Sequence, residues 1–208
     1  MIQNYIFDFE GTLANTQKAV FKAWEMTCYE MSLPRPKIEA IKLMKSWDLV
    51  KIAEVVGNNQ NTSQIVATYK QNYQKIESRV TLFEAVLETL QNLKEQNKSL
   101  YIVSSKTSQA LEIVTENLGI KDLFVQTVGA EDIEFAKPNP AVIELLITKY
   151  SLNKSETIMI GDTLVDIQMG QNAGVKTCGV SWGSTDLETI ESFGADFTID
   201  KISKLAEF

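Results

Sequence analysis

Four short segments carry most of the side chains in this chain that could do chemistry. They are Phe7-Asp8-Phe9-Glu10-Gly11-Thr12-Leu13, Val103-Ser104-Ser105-Lys106, Ala136-Lys137-Pro138 and Gly161-Asp162-Thr163-Leu164-Val165-Asp166. There is no histidine, which excludes Ser-His-Asp and Cys-His catalysis and histidine-based zinc sites. Carboxylates, hydroxyls, amines and two thiols remain, and the first three together suit phosphoryl transfer. A phosphate ester is anionic and repels a carboxylate nucleophile. A magnesium ion between the two offsets that repulsion, and magnesium prefers hard oxygen ligands. Asp8 and Asp162 can supply metal carboxylates, with water completing the octahedron. Lys137 can neutralise charge on the equatorial phosphoryl oxygens. The Ser104 hydroxyl can hydrogen-bond one of them, and Ser105 can replace it in that role. Gly11 lets the backbone turn sharply and bring amide groups close to a phosphate, with Thr12 beside it as support for the same loop.

In an open α/β sheet, ligands bind beyond the carboxyl ends of the strands. Three of these segments do follow apolar runs. Five such runs read as buried strands: Tyr5 to Phe9, Leu100 to Ser104, Phe124 to Val128, Thr157 to Ile160 and Thr177 to Val180. Helical stripes lie between most of them. Val86, Leu87, Leu90 and Leu93 form one; Leu111, Val114 and Leu118 form another, stopped by Gly119. A third comprises Val142, Ile143, Leu146 and Tyr150, with Pro138 and Pro140 at or before its first turn. Strands alternating with helices imply right-handed crossovers and a doubly wound parallel sheet.

The alternation breaks once. After the first strand, about 65 residues carry helical stripes and no convincing strand. The stripes are Val20, Trp24, Thr27 and Met31; Leu49, Ile52, Ala53 and Val56; and Ile65, Tyr69, Tyr73 and Ile76. That is too much helix for an ordinary crossover. The expected architecture is therefore α/β: a Rossmann-like doubly wound parallel sheet from residues 1–14 and 80–208, with a helical module inserted over residues 15–79. Within the insert, Trp24, Trp47, Tyr69 and Tyr73 read as core, and Arg35, Lys45 and Lys51 as solvated surface.

Taken together, the four segments resemble the motifs of the haloacid dehalogenase superfamily, in order and at family-like spacing. The first motif of that family is DxDGT, here Asp8-Phe9-Glu10-Gly11-Thr12. The second is an apolar strand ending in Ser or Thr, here Ser104. The third is a Lys before Pro, here Lys137. The fourth is GDxxxD, here Gly161 to Asp166. Asn172-Ala173-Gly174, Gly179-Val180-Ser181-Trp182-Gly183 and Ala195-Asp196-Phe197 are similar to the phosphoglycolate phosphatase-like branch, as is a helical cap inserted after the first motif.

The resemblance implies a Mg2+-dependent phosphomonoester hydrolase acting on a small phosphorylated metabolite through an aspartyl-phosphate. It implies Asp8 as nucleophile, Asp8, Asp162 and the main-chain carbonyl of Glu10 as metal ligands, and Asp166 orienting Lys137 or a metal-bound water. One position departs from the pattern. The family's acid/base Asp, two residues after the nucleophile, is Glu10 here, one methylene longer. Displacement of a reacting group by ~1 Å costs on the order of 10²-fold. Three readings stay open: Glu10 acts in a repositioned pose, the chain is a weakly active or non-catalytic regulatory relative that binds a phosphate ligand, or Glu10 serves a different substrate geometry. A sugar-phosphate mutase is a further alternative, which Glu10 disfavours.

Composition narrows the partners. Acidic residues outnumber basic ones 27 to 20, for a net charge of −7. Such a field argues against nucleic acid or an anionic membrane surface. No apolar run approaches the ~20 residues that span a bilayer, and the start reads as no signal peptide. Cys28 and Cys178 form no CxxC motif and read as reduced core thiols. A cytoplasmic protein, monomeric or a small homo-oligomer, is expected.

Overall fold

The computed structural model describes residues 1–35, 49–132 and 134–208. Trp47 and Lys45 lie outside the described residues. The chain divides into two compact units, one of residues 1–15 and 81–208 and the other of residues 16–80.

In the larger unit the strands are β1 (Asn4–Phe7), β2 (Ala14–Asn15), β3 (Thr81–Leu82), β4 (Ser99–Val103), β5 (Gln126–Val128), β6 (Thr157–Gly161), β7 (Lys176–Val180) and β8 (Phe197–Ile199). Six of them form a sheet in the order β5-β4-β1-β6-β7-β8, with every neighbouring pair parallel. All four residues of β1 and all five of β6 are buried, as a sheet covered on both faces requires. The expected doubly wound parallel sheet is therefore present.

Two features of the sheet differ from the sequence reading. The sixth strand, β8, has only three residues and lies at an edge, with Phe197 exposed. So short and half-wet a segment carries no periodicity to detect. The two-residue strands β2 and β3 pair antiparallel, Ala14 opposite Leu82 and Asn15 opposite Thr81. Their pairing joins residues 66 and 68 positions apart, which no local pattern reports. The run at Phe124 also enters its strand later than expected, because a 3-10 turn occupies Lys121–Leu123.

The topology fixes where a site can form. From β1 the chain goes to β4 and then β5 on one side, then returns to β6 on the other side of β1. The strand order thus reverses around β1, and the crevice beyond the carboxyl ends of β1 and β6 is the switch point where ligands bind in such sheets. Phe7 is in register with Ile102 on one side and Ile160 on the other. Residues 8, 103–104 and 161–162 therefore emerge together.

Helices cover both faces of this sheet. After α1 (Gln17–Glu30), α2 (Leu49–Val56) and α3 (Thr62–Ile76) of the smaller unit come α4 (Val86–Glu95), α5 (Ser108–Asn117), α6 (Ala141–Tyr150), α7 (Leu164–Ala173) and α8 (Leu187–Ser192). Val142, Ile143 and Leu146 of α6 and Met169 and Ala173 of α7 pack with Ile6, Tyr101, Val103 and Met159 from one face. Period-2 alternation puts Tyr5 and Phe7 on the other face, where the Tyr5 hydroxyl donates to the Leu205 carbonyl, 3.3 Å away. Leu87, read as part of the α4 stripe, is instead exposed, while Val86, Leu90 and Leu93 are buried. Cys28 and Cys178 are both buried free thiols.

The smaller unit has its own core. Trp24, Ile52, Ala53 and Ile65 are buried together, with Val20, Leu49, Val56 and Tyr69 packed around them. The Trp24 and Tyr69 rings stack with centroids 4.4 Å apart. The three stripes read from the sequence are thus the inward faces of α1, α2 and α3. Arg35 and Lys51 are exposed. Among the described residues, no helix of either unit is long and apolar enough to cross a membrane.

Candidate active site

Asp8 is the first residue after β1. Its amide donates to the Ile160 carbonyl at 2.8 Å, so the backbone at position 8 is tied directly to β6. The chain then turns tightly: the Leu13 and Ala14 amides both donate to the Phe9 carbonyl, and the Gly11 amide to the Ala14 carbonyl. Gly11 sits at φ +90, which disfavours any side chain, and a Cβ there would collide with the Asp162 carboxylate.

Asp162 is the first residue after β6 and is fully buried. Its Oδ2 accepts the Ser184 amide at 2.5 Å. The loop after β7 supplies that amide and is itself anchored by the Trp182 indole, which donates to the Thr12 carbonyl at 2.9 Å. Gly183 is a second glycine required by close approach, since a Cβ there would overlap the Gly11 carbonyl and Asp162.

Lys137 reaches this point from the loop before α6. Its Nζ lies 2.6 Å from Asp8 Oδ1 and 2.8 Å from Asp166 Oδ1. The Asp166 side chain also serves α7: its Oδ2 accepts the amide and the hydroxyl of Thr163, closing the first turn of the helix. Helix capping and lysine orientation are thus done by the two oxygens of one carboxylate.

Carboxylate oxygens of Asp8, Asp162 and Asp166 all lie within 4.8 Å of one another, and all three residues are buried. Burial pushes Asp8 well above the usual carboxylate range; Asp166 and Asp162 push the same way, and Lys137 opposes them. Burial likewise raises Asp162, to about 6, with Asp166 adding to the effect and the Ser184 amide opposing it. For Lys137, burial works against the charge, but Asp166 and Asp8 outweigh it and hold the ammonium above its ordinary value.

One ammonium faces three carboxylates, which leaves two formal negative charges uncompensated. Among the described residues, Asp162 Oδ1 and the Thr12 hydroxyl are buried with no hydrogen-bond partner. An orphaned buried carboxylate oxygen costs stability unless something binds it. Oxygen-only donors, two excess charges and an unsatisfied oxygen fit a hard divalent cation.

The remaining residues named from the sequence line the same end of the sheet. Ser104 is buried at the end of β4; its amide donates to the Val128 carbonyl, and its hydroxyl accepts the Lys106 amide at 3.1 Å. Ser105 is exposed. Glu10 is partly exposed, and its Oε1 lies 3.7 Å from Lys106 Nζ. Four contributors are not legible as site residues in the sequence. In the sequence Lys106 is only the tail of its segment, and Trp182 and Gly183 belong only to the family likeness. Ser184 acts through its backbone amide, which no side-chain pattern reveals.

Known proteins resemble this chain over nearly its whole length. The chain is 29% identical over 204 residues to the pyrophosphatase PpaX of Oceanobacillus iheyensis, covering 98% of this chain and 95% of that one. With the PpaX of Bacillus velezensis it shares 28% over 201 residues, 96% and 93% of the two chains. Among solved structures, a haloacid dehalogenase-like family hydrolase from Streptococcus pneumoniae superposes with a TM-score of 0.87 at 22% identity, covering 99% of this chain and 97% of that one. A predicted phosphoglycolate phosphatase from Haemophilus somnus gives 0.87 at 21%, with the same coverage. The family model described as haloacid dehalogenase-like hydrolase matches residues 5–180. That span runs from the strand before Asp8 to the end of β7 and includes all four motifs, so this chain belongs to the haloacid dehalogenase-like hydrolase family.

Proposed function

We propose that this hydrolase is a Mg2+-dependent phosphatase that cleaves a small phosphorylated compound through an aspartyl-phosphate at Asp8. The observation that carries the reading is the convergence of Asp8, Asp162, Asp166 and Lys137 at the carboxyl ends of β1 and β6.

Asp8, Asp162 and the main-chain carbonyl of Glu10 would hold the cation. When bound, Mg2+ supplies the positive charge that lets a carboxylate approach an anionic phosphoryl group. Lys137 fixes one oxygen of Asp8 and leaves the other to attack phosphorus. Its ammonium also faces the charge that develops on the phosphoryl oxygens, where a preorganised donor is worth most. Glu10, protonated, gives its proton to the leaving-group oxygen as the phosphorus–oxygen bond breaks. As a carboxylate it then takes a proton from the water that attacks the phospho-aspartate. Phosphate departs, and Asp8 and protonated Glu10 are regenerated. Thr12, Gly11, Ser104 and Ser105 would line the phosphate position, and the helical unit would act as a cap that selects the substrate.

The PpaX relatives make inorganic pyrophosphate the first substrate to test, with phosphoglycolate second. Phosphate release should require Mg2+, and Asp8→Asn should abolish it, by at least about 10⁴-fold as for loss of a covalent nucleophile. Release that survives Asp8→Asn would refute the aspartyl-phosphate. Tight pyrophosphate binding without turnover in the unsubstituted chain would favour the second reading, a regulatory relative that binds phosphate.

A further inference from the structure

Glu10 is longer than the Asp that the family motif carries, and a longer acid has more ways to miss its target. A carboxylate on an extra rotatable bond needs a second restraint if its position is to be held within about 1 Å. The structure supplies a partner in the right place. Lys106 lies two residues after Ser104, beyond the end of β4, the strand beside β1. Its backbone is pinned on both sides: its amide donates to Ser104 Oγ at 3.1 Å, and its carbonyl accepts the Ala130 amide at 2.7 Å. Its side chain is only 9% exposed, whereas that of Glu10 is 35% exposed, and the charged ends are 3.7 Å apart. A nearly buried ammonium on a fixed backbone is the less mobile partner, so the geometry has Lys106 restraining Glu10 and not the reverse.

We propose that Lys106 is a positioning residue for Glu10, holding the longer acid where it can serve the leaving group and the attacking water. The proposal rests on the phosphatase reading above, in which Glu10 is the acid/base. Lys106 then acts on kcat through Glu10. A lysine that instead held substrate would act on KM.

The test is a double-substitution cycle at positions 10 and 106, measured with pyrophosphate and with an aryl phosphate in Mg2+. Lys106→Met should lower kcat by about 10- to 100-fold on both substrates with little change in KM, and Lys106→Arg should recover most of the loss. Glu10→Gln should lower kcat by roughly 10²- to 10⁴-fold, and adding Lys106→Met to it should cost little more. A rise in KM at constant kcat, or an equal loss from Lys106→Met with and without Glu10, would overturn the proposal. A second readout needs no turnover. In protein carrying 13C-labelled glutamate, the carboxyl resonance assigned to Glu10 by its loss in Glu10→Gln should move in Lys106→Met and return toward its original position in Lys106→Arg. An unmoved resonance would sink the pairing even if the chain proves inactive. Inactivity with the resonance shifting as expected would sink the phosphatase reading and leave the pair standing.

Discussion

Two polar clusters in this chain, one buried throughout and one with a buried centre and exposed charged ends, are built from similar side chains and end in opposite states. In the helical unit, Asn72 is fully buried between α1 and α3. It donates to Thr27 Oγ1 at 3.3 Å and to Glu30 Oε2 at 3.2 Å, and it accepts from Lys75 Nζ at 2.8 Å. Thr27 in turn donates to the Ala23 carbonyl, and Lys75 lies 3.5 Å from Glu30. That cluster is closed, and its one acid faces one base. At the strand ends, three buried carboxylates face one lysine, and Asp162 Oδ1 and the Thr12 hydroxyl have no partner. A closed cluster contributes to stability and asks for nothing further. An open one costs stability, and a fold keeps such a cost where a ligand will meet it.

Removing Lys137 should sharpen this contrast most. Lys137→Met removes the ammonium that lies 2.6 Å from Asp8 and 2.8 Å from Asp166. Breaking a buried ion pair from one side costs about 3–5 kcal/mol, so urea denaturation should show a loss of that size, reduced when Mg2+ is added. If Mg2+ leaves the stability of this variant unchanged, the cluster is not a cation site.

The pH dependence of stability comes next. The Asp162 carboxyl is raised from 3.8 to about 6 by burial, so its neutral form is favoured in the folded chain. Between pH 4 and 6 the folded state therefore binds more protons than the unfolded one, and stability falls as pH rises through that window, by up to about 3 kcal/mol. Urea titrations in EDTA should show the fall, Asp162→Asn should remove most of it, and saturating Mg2+ should offset it near pH 7. A flat profile in EDTA would mean that the open cluster is relieved in some other way.

The closed cluster should behave differently. Asn72→Ala strips partners from buried Thr27 and from Glu30, and loss of such hydrogen bonds costs about 1–3 kcal/mol. Thermal denaturation should show that loss to be the same with and without Mg2+. A cost that depended on the cation would erase the distinction between the two regions.

Much of this was legible in the chain itself. The strands that carry Asp8, Ser104 and Asp162 are continuous apolar runs, and the inward faces of α1, α2 and α3 follow the 3.6-residue period, because both signals are local and set by burial. Lys137 stood out by its type and its place before Pro138. The composition also excluded histidine chemistry, and the four motif segments offered only hard oxygen and amine groups.

The tertiary structure alone decided how those groups meet. Lys137 and Asp8 are 129 positions apart, and their 2.6 Å contact depends on the return of the chain from β5 to β6. The Ser184 amide, the Trp182 indole and the pairing of Glu10 with Lys106 likewise depend on strand order and register. Periodicity and motif spacing report which face a residue prefers. They do not report which distant backbone or side-chain atom will stand opposite it, since that is fixed only when the whole sheet has closed its hydrogen bonds.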